Sequence, residues 1–467
     1  MSAPLSVPQR FLRSTVASYW SLGVRMLVTF GSRVLLARLL IPEDHGVYEL
    51  ALRVVIVASA LRDLGLPFHL MRDERKPYGT VFAFSVISGI GITAALLLGA
   101  PLAAAWGPDL PAVLRVFAFW VLLDGIAAAP KVFFERELAI GRLVLPEIGR
   151  GLVVAGLGIG LALAGWGAWS LVVADLAGAA LFAALVWRRA WGRFPLDVHR
   201  QLIPELLRQS STLFLVWIGL QGVRYVDAFI VGSFMTTEEV GYYVRAWSLA
   251  FLVRQVVFPR ALVPALVEYR HDPERFAIAF RVGTLFLMFF EVTAGYFLFW
   301  NAEKAVAIFL GSQWGPAVAL LKVLAFVPFL DVFSELGGEV LKVRSEDRLW
   351  LAITLLNLVS LLGFGIAFTR EWGALGMAVA NLFLVGNLVM GWRMARLFGR
   401  AFYQLLGDML WIYLVPLVLL GAVAWLLPAA SWARFALSIV AGLATAGLIW
   451  LRFRGLLRAF LAERQAV

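Results

Sequence analysis

The chain contains no cysteine, which excludes disulfides, thiol nucleophiles and cysteine-ligated metal and leaves redox arguments silent about compartment. Charge is scarce: Asp, Glu, Lys and Arg make up 15% of the 467 residues, against about a quarter in an ordinary soluble domain. Lysine is confined to Lys76, Lys131, Lys304, Lys322 and Lys342. Catalytic signatures are missing too. There is no G-x-x-x-x-G-K-[ST] phosphate loop, no H-E-x-x-H zinc helix, no G-x-S-x-G nucleophile turn and no D-x-D for a metal-bound sugar nucleotide. His45, His69, His199 and His271 stand apart in sequence and suit loops or interfaces better than a metal site. No cofactor, metal or enzymatic activity is expected.

What is present is apolar length. Hydrophobic residues make up 61% of the chain, and apolar stretches of roughly 20 residues, enough to cross a bilayer core, recur from end to end. The reading is an all-α polytopic membrane protein of about fourteen transmembrane helices. Spans are predicted near 15–39, 47–71, 79–105, 112–133, 144–165, 168–187, 211–234, 241–267, 277–300, 316–341, 349–369, 373–392, 408–427 and 433–452. The first follows Arg10 and Arg13 as a signal peptide would, but it runs into Arg33 without a small-residue cleavage site and reads as a retained helix.

A net charge of +11 in a soluble protein would suggest nucleic acid. Here the cations alternate between sides instead. Arg72, Arg75 and Lys76 precede an uncharged turn at Gly107; Lys131, Arg136 and Arg142 precede another at Gly165. The pattern continues through Arg188–Arg208, Arg270–Arg275, Lys342–Arg348, Arg393–Arg400 and Arg452–Arg464. Positive charge collects in cytoplasmic loops, so both termini are expected in the cytoplasm and no nucleic-acid partner is.

The chain also repeats itself. Glu43-Asp44-His45-Gly46-Val47-Tyr48 matches Glu238-Glu239-Val240-Gly241-Tyr242-Tyr243. Leu114–Phe119 with Asp124 matches Leu321–Phe326 with Asp331, Trp166-Gly167-Ala168 matches Trp372-Gly373-Ala374, and Trp187-Arg188 matches Trp392-Arg393. Four matches in order imply two parallel six-helix repeats, here residues 1–190 and 211–400, joined by a basic linker at 191–210 and followed by two more helices in 401–467. Repeated halves place a substrate site at their interface in parallel-repeat transporters.

Charges within spans are costly and usually functional. Arg25, Arg53, Arg224 and Arg254 lie deep in their predicted helices and are the candidates for a cavity that binds an anion. A guanidinium is permanently charged and presents a planar fork suited to phosphate. Arg33, Gln221, Asp227 and Arg245 form a second tier, with Gln221, Arg224 and Asp227 spaced every three residues along one stripe. Arg33, Arg38, Arg62 and Arg245 lie nearer span ends, where snorkelling to headgroups competes with a cavity role. Glu291 is the most isolated buried acid, a candidate for ion coupling or for pairing with an arginine. Asp124 and Asp331 read first as structural, since duplication alone accounts for their match.

The stretch Arg33-Val34-Leu35-Leu36-Ala37-Arg38-Leu39-Leu40-Ile41-Pro42-Glu43-Asp44-His45-Gly46-Val47-Tyr48, followed by Asp63-Leu64-Gly65-Leu66, resembles the opening of bacterial polysaccharide-export proteins of the Wzx, or oligosaccharide flippase, type. The resemblance implies the multidrug/oligosaccharidyl-lipid/polysaccharide exporter superfamily: two lobes around a cationic cavity. It implies that a polyprenyl-diphosphate-linked oligosaccharide passes from the cytoplasmic to the outer leaflet of a bacterial inner membrane, for lipopolysaccharide or exopolysaccharide synthesis. Membrane lipids, a polysaccharide polymerase and a chain-length regulator are the partners it suggests. A peptidoglycan-precursor flippase, a cation-coupled drug exporter and a membrane polysaccharide polymerase or ligase are the alternatives.

Overall fold

The computed structural model describes residues 28, 30–70, 75–137, 139–257, 262–428 and 431–462, which form helices and their connections with no strand among them. The chain divides into two units, Met1–Tyr225 with Thr236–Gly241, and Val226–Met235 with Tyr242–Val467.

The first unit holds α1 (30–39), α2 (Pro42–Asp63), α3 (Leu66–Leu70), α4 (Tyr78–Gly99), α5 (Leu110–Phe117), α6 (Phe119–Arg136), α7 (Gly141–Leu163), α8 (Ala168–Ala190) and the first part of α9 (Ile203–Phe234). α2 starts five residues earlier than its apolar pattern suggests. Pro42 presets the helical φ at its first position, and the Ile41 N–H donates to Asp44 Oδ2 at 3.3 Å. It also stops sooner, at Asp63, where Leu64 (φ 46°) and Gly65 (φ 77°) turn left-handed. Gly65 is needed there, because a methyl group on it would meet Phe214 Cβ at 3.3 Å. The core of this unit is an aromatic cluster, with Tyr78 edge-on to Phe133 at 5.2 Å and Trp187 edge-on to Phe194 at 5.5 Å. Leu206 is buried in the same cluster. The Ser210 hydroxyl donates to the Leu64 carbonyl at 3.0 Å, and Arg75 pairs with Glu205 at 3.0 Å. These contacts attach the start of α9 to the first unit.

The second unit contains the end of α9, most of α10 (Thr237–Ala250), α11 (Leu252–Val257), α12 (Leu262–Glu268), α13 (Pro273–Trp300), α14 (Ala302–Phe309), α15 (Ala317–Leu324), α16 (Val327–Leu330), α17 (Val332–Val343), α18 (Asp347–Ala380), α19 (Val385–Phe398), α20 (Arg400–Leu426) and α21 (Trp432–Ala462). α13 runs through its core, burying Phe280, Leu287 and Met288 against Leu336, Met390 and Phe402. Arg281 on α13 donates from Nε to Asp408 Oδ2 at 2.9 Å and from a terminal nitrogen to Gln404 Oε1 at 3.1 Å, tying α13 to α20.

Among the described residues nine stretches are long and apolar enough to cross a bilayer, and one of them, Asp347–Phe398, has 52 residues. At 1.5 Å per residue that is roughly 78 Å, more than twice a hydrocarbon core of about 30 Å, so it makes two crossings. The reversal is at Gly373, whose φ of 59° and ψ of −145° only glycine adopts readily. The predicted eighth and tenth spans are each continuous in the sequence pattern but broken in space. The former is interrupted at Phe251, the latter at Ala325–Phe326 and again at Asp331. The arrangement is consistent with a plan of fourteen helices.

Backbone geometry repeats where the sequence does. Gly167, matched to Gly373, has φ 52° and ψ −135° and likewise opens a new helix after a turn. Ala118, matched to Ala325, interrupts its helix in the same way, with φ −55° and ψ −32° against −58° and −21°.

Candidate functional site

Each unit contains an arginine, withdrawn from most of its solvent, that is neutralised by an aspartate from the repeated motif. In the first unit Arg62, on the last turn of α2, is 1% exposed. Its guanidinium reaches Asp63 at 2.5 Å and Asp124 of α6 at 3.0 Å, and donates to the Val121 carbonyl at 2.6 Å. Ser85 of α4 donates to Asp63 at 3.3 Å, so three helices share the cluster. Gly125 leaves the space, since a methyl there would stand 3.0 Å from Arg62 Cδ.

In the second unit Arg254 of α11 occupies the corresponding role. It reaches Glu291 of α13 at 2.6 Å, Asp331 at 2.8 Å and Glu335 of α17 at 3.8 Å, and donates to the Pro328 carbonyl. Its guanidinium also lies 5.3 Å from the Phe251 ring centroid. Asn387 donates to Asp331 at 3.4 Å and Asn357 donates to Asn387 at 3.0 Å, extending the polar group to α18 and α19. Three carboxylates therefore face one guanidinium. The Glu291 side chain is fully buried, and its nearest cation is Arg254. The repeat match of Asp124 with Asp331 was the sequence signal for this pairing; the burial of Arg62 was not legible, because an arginine nearer a span end is equally suited to headgroups.

The remaining candidates separate by unit. Arg53 of α2 is 3% exposed. It donates to the Tyr225 carbonyl of α9 at 3.1 Å, and its guanidinium lies 5.6 Å from the Tyr225 ring centroid. The first unit thus brings Arg53 beside the segment of α9 that carries Arg224. Arg224 is exposed and Gln221 half-buried on that segment, and Arg33 is exposed on α1. Arg224 is the central residue of the candidate span Phe214–Phe234. A guanidinium at mid-span costs about 2.5–3.5 kcal/mol or more if it faces lipid, so an exposed one belongs against water or an anion. Arg25 lies outside the described residues. Asp227 and Arg245 belong to the second unit and are both buried. Asp227 accepts from the Tyr243 hydroxyl at 2.8 Å, to which Asn381 also donates at 2.9 Å.

Ion pairs at two further places, not singled out from sequence, lie nearer the surface. Glu346, between α17 and α18, accepts from Arg393 at 2.7 Å and from Arg344 at 3.0 Å. Burial pushes its carboxyl up, but the hydrogen bonds from the two arginines outweigh it and hold the group below the ordinary glutamate value. Lys322 pairs with Glu303 at 2.6 Å.

Comparison with known proteins adds to this geometry. The model of a family described as "Polysaccharide biosynthesis protein" matches residues 35–319. The succinoglycan biosynthesis transport protein ExoT of Rhizobium meliloti is 25% identical over 340 residues, 65% of this chain and 66% of that protein. A probable low-salt glycan biosynthesis flippase of Haloferax volcanii is 23% identical over 276 residues, 56% of this chain and 57% of that protein. The chain therefore matches somewhat less than two thirds of the length of either relative. Among solved structures, the lipid II flippase MurJ in an inward closed conformation is 13% identical, with a TM-score of 0.78 over 96% of this chain and 100% of that one. An inward-facing multidrug resistance MATE transporter of the MOP superfamily is 14% identical, with a TM-score of 0.66 over 80% and 94%. At such identities the likeness concerns the fold.

Proposed function

The chain belongs to the polysaccharide biosynthesis protein family, and from that premise we propose that it is a flippase for a polyprenyl-diphosphate-linked oligosaccharide. It carries this substrate by alternating access from the cytoplasmic to the outer leaflet of a bacterial inner membrane. The observation that carries the reading is Arg224, an exposed guanidinium at the centre of an apolar span, with the buried Arg53 held against the adjacent Tyr225. Arg224 and Arg53, joined by Arg33 of α1 and by Arg25 of the first predicted span, receive the diphosphate. The glycan occupies water and the prenyl tail stays in lipid. Arg254 has three carboxylates about it. It acts chiefly as their counter-ion, and Glu291, Asp331 and Glu335 are the candidates for ion coupling. Drug exporters share the fold, but an exposed mid-span arginine opposes a cationic cargo. A polymerase and a chain-length regulator would consume the product on the outer side.

The test is a leaflet assay in membranes of a deletion strain carrying variants of the gene. Arg224→Gln should lower delivery of lipid-linked saccharide to the outer leaflet at least tenfold, with accumulation on the cytoplasmic side, and Arg224→Lys should retain part of it. Unchanged delivery in Arg224→Gln would sink the anion role. Accumulation of unpolymerised units in the outer leaflet of the deletion strain would indicate a polymerase instead.

A further inference from the structure

The first unit includes both the start of α2 and the start of α10, and at their two matched glycines these meet backbone to backbone. Gly46 has no room for a side chain: a methyl there would lie 1.7 Å from the Thr237 carbonyl oxygen. Gly241 has none either, because its methyl would lie 1.9 Å from the Pro42 carbonyl oxygen. Gly46 and Gly241 are the same position of the repeated motif, as are Pro42 and Thr237, both pairs being 195 residues apart. One contact is therefore the image of the other, a self-complementary crossing of the kind a two-fold axis generates. Around it the packing is equally close. Thr237 Oγ1 lies 3.4 Å from Glu43 Oε1, and Gly107 (φ 148°) sits where a methyl would be 2.9 Å from the Thr237 side chain.

We propose that this glycine crossing is the outer latch of the transport cycle, the contact that seals the extracytoplasmic side and parts to release cargo. The proposal rests on the alternating-access reading above and on the predicted orientation, which puts both helix starts on the outer side. Glycine suits a contact that must form and break repeatedly, since carbonyl meets Cα without side chains that must first find a rotamer. α10 is suited to transmit the movement. Its first residues belong to one unit and its remainder, from Tyr242, to the other.

The absence of native cysteine makes the test direct. In a Glu43→Cys, Thr237→Cys double variant, a short cleavable bis-thiosulfonate bridge should reduce delivery of lipid-linked saccharide at least tenfold, and reduction of the bridge should restore it. Bridged protein that delivers at the unbridged rate overturns the latch. Independently of cargo, Thr237→Cys should react with a membrane-impermeant maleimide from outside at least tenfold faster when Gly241 or Gly46 is replaced by leucine. Equal rates in both backgrounds overturn it as well. The labelling arm still decides if the parent protein moves no lipid-linked saccharide, so failure of the substrate assignment is distinguishable from failure of the latch. Size-exclusion profiles in detergent confirm that each leucine variant is folded.

Discussion

Arg254 and Arg224 are both deep arginines in sequence, yet they differ in what surrounds them. Arg254 is paired with Glu291, whose side chain has no exposure, and with Asp331. Replacing Arg254 by alanine removes the cation nearest a buried carboxylate, and such a loss is typically worth about 3–5 kcal/mol. Arg254→Ala should therefore melt far below the parent in detergent, as read by tryptophan fluorescence. An Arg254→Leu, Glu291→Leu double variant should recover much of the loss, because a buried ion pair replaced by apolar side chains of similar volume is often close to neutral. If the double variant melts lower than Arg254→Ala, the two residues do not act as a counter-ion pair. Arg224, exposed at mid-span, should behave oppositely, with its replacement by glutamine changing stability little. Sequence depth picked out both residues, but which had acids beside it depended on α13 and α17, whose register against α11 no local pattern encodes.

At the scale of elements, turns and caps set where helices end. Gly373 at φ 59° and ψ −145° occupies a region closed to residues with a Cβ, where strain costs on the order of 1–3 kcal/mol. Gly373→Ala should lower the melting temperature, and Gly167→Ala at the matched turn should do the same. Gly447→Ala, within α21 with open space around it, should be neutral or slightly stabilising. Equal effects at all three positions would remove the turn argument. Glu346 gives an element-level pH dependence. Its carboxyl is held below its ordinary value of 4.5 by Arg393 and Arg344 despite burial. A group with a lowered folded value contributes stability that is complete above its unfolded value and is lost as the pH falls through the folded one. Melting temperature should thus fall below about pH 4.5, and Glu346→Gln should flatten that part of the profile. An unchanged profile in the variant would assign the acid sensitivity elsewhere. The caps themselves were partly readable: Pro42 and Asp44 stand in the sequence, but an apolar count placed the start of α2 at Val47 because it weighs hydrophobicity over capping.

For the whole molecule, the proposed cargo gives a prediction that depends on charge alone. An anion leaving a compartment that is negative inside gains at most about 2.3 kcal/mol per charge per 100 mV. In proteoliposomes with an imposed potential, collapse of that potential with valinomycin should slow translocation away from the negative side. Insensitivity would mean that arginines moving with the substrate cancel its charge. The duplication is the whole-molecule feature most fully legible in sequence. The Trp166-Gly167-Ala168 and Trp372-Gly373-Ala374 matches reappear as nearly equal backbone angles at Gly167 and Gly373, because a glycine-only conformation is written into residue type.

By itself the sequence determined that the chain is helical and crosses a membrane many times, that it is built of two repeats, and that arginine is its characteristic buried charge. Those are consequences of composition and period, which act locally and survive any arrangement of the helices. The tertiary structure alone decided that Arg62 and Arg254 meet the matched aspartates, that Arg53 lies along Tyr225, and that Gly46 and Gly241 each press on a carbonyl of the other's motif. These depend on which faces of distant helices come within a few ångströms, a distance at which one turn of register changes every partner.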